Sequence, residues 1–172
     1  MPATREMDVA RSTLTVRVFK AGLFSAFGHN HVIRAPVSQG SFDEGANLPT
    51  VHLQVDARQL QALDPDLSAK DRAEVQQTML GPAVLDSARF PEIRFHSLTI
   101  EKAGEGKWRV HGDLTLRGQT RPVLVEVAGG AGHYLGSAAV RQSDFGIKPV
   151  TAAGGAIKVK DEVRVEFEVF GR

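Results

Sequence analysis

Trp108, Val110, Leu114 and Leu116 alternate with Arg109, His111, Asp113, Thr115 and Arg117, the period-2 pattern of a strand with one buried and one solvated face. After a turn carried by Gly118 the alternation resumes, Val123, Val125 and Val127 against Leu124 and Glu126. The two runs predict an antiparallel hairpin. Pro122 fits only as the first residue or an edge position of its second strand.

The same period marks other segments. Leu14, Val16 and Val18 alternate with Thr13, Thr15 and Arg17 up to a turn near Ala21-Gly22, and Val51, Leu53 and Val55 alternate with His52, Gln54 and Asp56. Val163, Val165, Phe167 and Val169 against Glu162, Arg164, Glu166 and Glu168 give the cleanest strand. Phe24 to Ile33 shows no clean period and predicts a strand interrupted by a bend, while Gly40 and Phe42 mark a short strand before a loop. Gly129 to Gly132 is a turn or flexible loop, and the small residues of GSAAVRQSDFG predict a strand with close backbone approach. From Glu92 to Ile100 the apolar preference changes sides: Ile93 and Phe95 share a face with Ser97 and Thr99, whereas Leu98 and Ile100 fall on the other. A bulge near Ser97 accounts for the switch.

Between Ser68 and Leu80 the period becomes helical, with Ser68 as cap and Asp71 in the first turn. Leu67, Val75, Met79 and Leu80 form a narrow apolar stripe, so this helix is expected across the outside or an end of the sheet, stopped by Gly81-Pro82. A short helical turn is expected over Ala83 to Leu85. Roughly eight or nine strands at hairpin spacing with one inserted helix predict an all-β antiparallel sandwich or closed barrel.

The 172-residue length suits a single domain over residues 1–172. Basic and acidic residues number 21 and 20, which offers no electrostatic pull toward nucleic acid. The absence of cysteine excludes disulfides, thiolate chemistry and sulfur-ligated zinc. No apolar run has the length of a membrane helix, and MPATREMDVARSTLTV lacks a secretory signal. A cytoplasmic location is therefore expected for the chain as written, and a periplasmic one if a signal has been trimmed away. A barrel of about eight strands is either just filled by its side chains or holds one small ligand. With one Trp, one Tyr and nine Phe, the inward faces are mostly Val and Leu, which favours a hollow.

His29 and His31 stand two residues apart, a spacing that sends both imidazoles to one side of a strand and suits two ligands of one metal. A third ligand would have to come from His96, His111 or Asp43. The bland alternative is that these histidines hydrogen-bond a bent strand or a barrel mouth, and no cofactor is expected. Asp144-Phe145-Gly146 spells the kinase magnesium motif without its companions. It reads instead as strand-end structure, with Asp144 accepting backbone bonds, Phe145 packing and Gly146 relieving the bend. There is no Gly-x-Ser-x-Gly elbow, no thiol and no Gly-Lys-Ser/Thr cradle, so no enzyme activity is expected.

LDSARFPEIRFHS (Leu85 to Ser97), GDLTLRGQTRPV (Gly112 to Val123) and RQSDFGI (Arg141 to Ile147), in this order and behind the helix, together resemble the YceI-like family of lipid-binding barrels. The likeness runs from Thr13 to Phe170. It implies an eight-stranded, closed, lipocalin-like antiparallel barrel whose apolar lumen takes a polyisoprenoid or another long-chain amphiphile, and it implies homodimerisation, which is known in the family. Two stretches depart from the family pattern: DRAEVQQTML (Asp71 to Leu80) stands where an Arg-Asp-x-His-Leu pattern is common, and GHNH (Gly28 to His31) resembles a variant branch. With the strand faces, the resemblance makes Leu14, Val16, Val18, Ile93, Phe95, Val110, Leu114, Leu116, Val165 and Phe167 the expected lining, with His29, His31 and Arg34 at the rim. A metal-dependent enzyme or metal-binding barrel built on His29 and His31 is the alternative, and a packed scaffold with an exposed apolar patch is a third reading.

Overall fold

A computed structural model describes residues 3–21, 30–44, 50–152 and 157–172. Among these residues twelve strands are formed: β1 (Ala3–Glu6), β2 (Thr13–Ala21), β3 (His31–Arg34), β4 (Val37–Glu44), β5 (Val51–Asp56), β6 (Gln61–Ala62), β7 (Glu92–Gly104), β8 (Lys107–Leu116), β9 (Gln119–Gly130), β10 (His133–Arg141), β11 (Thr151–Ala152) and β12 (Ile157–Phe170). One helix, α1 (Ala69–Leu80), separates β6 from β7. The hydrogen-bonded order is β1-β4-β5-β7-β8-β9-β10-β12-β2-β3-β6, with β11 beside β12.

The sheet is all-antiparallel and strongly curled, but among the described residues its strand ladder does not close into the expected barrel of about eight strands. The ladder ends at β1 on one side and at β6 on the other, so the gap falls between these two strands. Consecutive strands β3 and β4, joined through Ala35 and Pro36, do not pair with each other: β3 runs between β2 and β6, and β4 between β1 and β5. Single backbone contacts link the chain just after β1 to the end of β12 instead: Met7 bridges Gly171, and Asp8 N–H donates to the Phe170 carbonyl at 2.7 Å.

The β8–β9 hairpin turns through Arg117 and Gly118, at φ 51° and 70°, the left-handed pair whose twist matches that of the flanking strands. Pro122 pairs with Asp113 on β8 in a stretch where β9 has no partner on its other side, since β10 joins only from Val125 onward. The missing donor therefore faces an edge. Ser68 caps α1 by accepting from Asp71 N–H at 3.1 Å. Gln76 ties the helix to the sheet, accepting from Ala62 N–H at 2.7 Å and donating to the Leu60 carbonyl at 2.6 Å. The helix lies over one end of the curl, with Met79 inserted into the core beside Leu60 and Leu85. After Gly81 the chain makes hydrogen-bonded turns instead of the expected second helical turn.

Candidate functional site

The curl encloses a cavity of about 750 Å³. Its wall follows from strand alternation. On β8, positions 108, 110, 112, 114 and 116 face inward, and Trp108, Val110, Leu114 and Leu116 line the space. On β7, Ile93 and Phe95 face inward; the ladder then skips Leu98, since Ser97 pairs with Gly112 and Thr99 with His111. This bulge reverses the parity, leaving Leu98 61% exposed and turning Ile100 and Lys102 to the cavity. Ser97 Oγ fixes it by accepting from Val51 N–H at 2.8 Å.

All ten residues expected as lining are in the cavity wall. Val123, Val125, Val127, Val163 and Val169 join them, carried by alternation already visible in the sequence. At one end Leu60 and Leu85, beside α1, and Met79 within it complete the wall; none belongs to a strand period, and only Met79 is marked in the sequence, by the helical stripe. Two inward positions are glycines for a steric reason. A Cβ on Gly112 would collide with the Phe95 ring, and one on Gly136 with the Phe167 ring. Each phenyl group thus lies across a neighbouring strand where a side chain is missing; on β10 the small residue makes room for a ring.

The other end of the cavity is polar. Glu44 Oε1 accepts from Gly132 N–H at 2.6 Å and from the Tyr134 hydroxyl at 2.9 Å, and Glu44 Oε2 pairs with Arg5 Nε at 3.1 Å. Tyr134 packs edge-on against Phe42 and Trp108, with centroids 5.3 and 5.8 Å away. These contacts join β10, β4 and β8 at one end of the curl. Asp43 accepts from Thr4 and Thr50 hydroxyls, the Thr4 bond foremost among the interactions that hold its carboxyl below the usual range.

Burial, then the hydrogen bond to Glu44 and its negative charge, push the Tyr134 phenol up to about 12. Tyr134 is the chain's single tyrosine, so ultraviolet difference titration should show one phenolate transition near pH 12 in the folded protein. In Glu44→Gln the midpoint should fall toward the ordinary value of about 10. Because the folded value is raised, the associated stability is present below pH of about 10 and is lost as pH rises toward the folded value. A folded-state midpoint at the ordinary phenol value would contradict this geometry.

The described members of the expected rim, His31 and Arg34, lie away from the cavity wall. His29 lies outside the described residues. His31 Nδ1 is 2.9 Å from Oδ2 of Asp64, a side chain only 3% exposed whose Oδ1 also accepts from Val32 N–H at 2.7 Å. Arg34 is exposed, and neither His31 nor Arg34 lines the cavity. The other histidines named as metal ligands are dispersed: His96 sits 4.0 Å from Asp113 and His111 3.8 Å from Glu101. Among the described residues no three His, Asp or Glu side chains converge as a metal site. The Asp-Phe-Gly stretch also differs from expectation. Phe145 packs and Gly146 turns at φ 73°, but Asp161, not Asp144, accepts from Ser143 N–H, at 2.7 Å.

A family model described as the YceI-like domain matches residues 6–170. The chain belongs to the YceI-like family. Curated relatives of this YceI-like chain include a UPF0312 protein of Pseudomonas syringae, 31% identical over 88 residues, which are 45% of this chain and 46% of that one. A UPF0312 protein of Vibrio cholerae is 28% identical over 127 residues, covering 68% of this chain and 61% of that one. The chain thus spans about half the length of the first of these, at 46%. Among solved structures, BcnA of Burkholderia cenocepacia superposes with a TM-score of 0.63 at 22% identity, over 95% of this chain and 98% of its own. The YCEI protein of Campylobacter jejuni gives 0.53 at 14% identity over 72% of both chains. At these identities the structural likeness speaks for the fold: an antiparallel sheet curled around an interior, with one helix.

Proposed function

We propose that this YceI-like chain binds the hydrocarbon portion of a long-chain isoprenoid or fatty-acyl amphiphile in its interior and thereby sequesters or carries it. The observation that carries this reading is a cavity of about 750 Å³ walled by Val, Leu, Ile and Phe side chains from nine strands, within the range of known ligand pockets. At roughly 0.8 kcal/mol per buried CH₂, some twenty chain carbons supply on the order of 16 kcal/mol. That can exceed the rough 4 to 15 kcal/mol lost in association. The sequence resemblance, whose family is associated with polyisoprenoids, supports the same ligand class. Among the described residues no helix is long and apolar enough to cross a membrane.

Trp108, the single tryptophan, lines the cavity, so its emission is a built-in reporter. Titration with farnesol or oleate should give a saturable change in Trp108 fluorescence, and organic extraction of protein from its native host should release a long-chain amphiphile detectable by mass spectrometry. No saturable change together with an extract free of such molecules would overturn the proposal.

A further inference from the structure

The cavity has two unlike ends, and the difference extends to which charges already have partners. Its helix end is apolar, walled by Leu60, Met79 and Leu85, while Asp43, Glu44 and Lys102 line it elsewhere. The oxygens of both acids are already hydrogen-bonded within the protein, Asp43 by two threonine hydroxyls and Glu44 by Tyr134 and the Gly132 N–H, and Glu44 is also ion-paired with Arg5. Lining Arg94 is committed as well, with Nη1 3.0 Å from Glu92 Oε1. Lys102 differs. Among the described residues it takes part in no ion pair, and its neighbour Glu101 alternates to the outer face, where it approaches His111 at 3.8 Å. The bulge that skips Leu98 is what turns Lys102 inward, opposite Trp108 on β8. A lysine so placed lays its methylene stem along apolar wall and keeps its ammonium in water at the margin.

We infer that Lys102 selects an anionic head group, a carboxylate or phosphate monoester, on the amphiphile whose tail fills the cavity; this rests on the cavity reading above. The tail points toward the α1 end and the head stays near Lys102 and Trp108. The shared chemistry of the head is a compact oxyanion. The ammonium attracts it at a solvent-accessible margin, so the contribution is modest and screened by salt.

The test compares oleate, oleyl phosphate and oleyl alcohol as competitors for one fluorescent fatty probe at pH 8, in low salt, on wild type, Lys102→Ala, Lys102→Glu and Lys107→Ala. Wild type should prefer one or both anions over the alcohol by about fivefold, and which anion leads distinguishes carboxylate from phosphate as the source. The preference should fall to about one in Lys102→Ala, invert in Lys102→Glu and persist in Lys107→Ala, whose residue does not line the cavity. Lys102 is exposed, and circular dichroism verifies that each variant folds. Binding of all three chains with no anion preference, or a preference that survives Lys102→Ala or vanishes equally in Lys107→Ala, overturns the head-group inference alone. Failure of every probe to bind wild type overturns the cavity reading and this inference with it.

Discussion

Phe145→Ala should lower the unfolding free energy by about 3–5 kcal/mol, the range for truncating a large buried aromatic side chain. Among the described residues Phe145 is the large side chain buried most completely, at 1% exposure. It ends a 3-10 turn, Gln142–Phe145, and packs with Val140, Ile147 and Val163, the cluster where β10 and β12 meet. Gly146 turns the backbone at φ 73°, and the returning chain is grasped from the β8–β9 hairpin. Arg117 donates to the Gly146 carbonyl at 2.9 Å and to the Pro82 carbonyl at 2.8 Å, and Gln119 donates to the Phe145 carbonyl at 3.3 Å. One phenyl group therefore supports the junction of the hairpin, the β10–β12 pair and the segment after α1. With whole-domain stabilities of about 5–15 kcal/mol, the loss should move the urea midpoint far down at unchanged slope. Phe145→Leu, which keeps most of the volume, should lose much less. A loss below about 1 kcal/mol for Phe145→Ala would show that the turn collapses around the space left behind.

The parts of this fold legible in the sequence are those encoded by local period. Strands β2, β5, β8, β9 and β12 follow from alternation, and the Ile93–Phe95 to Ile100 change of side predicts the bulge because one extra residue is the smallest change that reverses strand parity. Ser68 was readable because a cap acts within one turn. Strand β1 was not: Ala-Thr-Arg-Glu has no alternating apolar face, and it becomes a strand only because β4 supplies a ladder and Glu44 a partner for Arg5. The open seam likewise depends on which strands are left at the ends of the ladder, and neither β1 nor two-residue β6 announces in its sequence that it will be an edge. The polar end of the cavity joins Tyr134 to Glu44 across 90 positions, and Asp64 meets His31 across 33. No spacing rule spans such separations, so the sequence does not announce that β4 and β7 supply the charged part of the wall while His31 and Arg34 lie outside it.

Leu114→Glu should leave a folded protein that has lost at least about a hundredfold in affinity for a long-chain amphiphile. Leu114 is opposite Phe95 on β7 and lines the cavity, yet it is only partly buried, the remaining exposure being toward the hollow. In the unliganded protein a carboxylate there can keep much of its hydration. A hydrocarbon tail entering the same space would have to strip that water away, and the effective penalty for dehydrating a charge inside a protein is several kcal/mol. About 2.7 kcal/mol already corresponds to a hundredfold in affinity. Val110→Glu provides the contrast. Val110 is 4% exposed and faces Ile100 and Val125 across its two ladders, so a charge there has little room for water and should destabilise the fold itself. Leu114→Met, close in volume, should retain uptake. Calorimetric or Trp108-fluorescence titration alongside thermal melts separates the two effects. If Leu114→Glu folds and binds as tightly as wild type, the tail does not occupy this part of the interior, because a dehydrated carboxylate and an undiminished affinity are thermodynamically incompatible at one position.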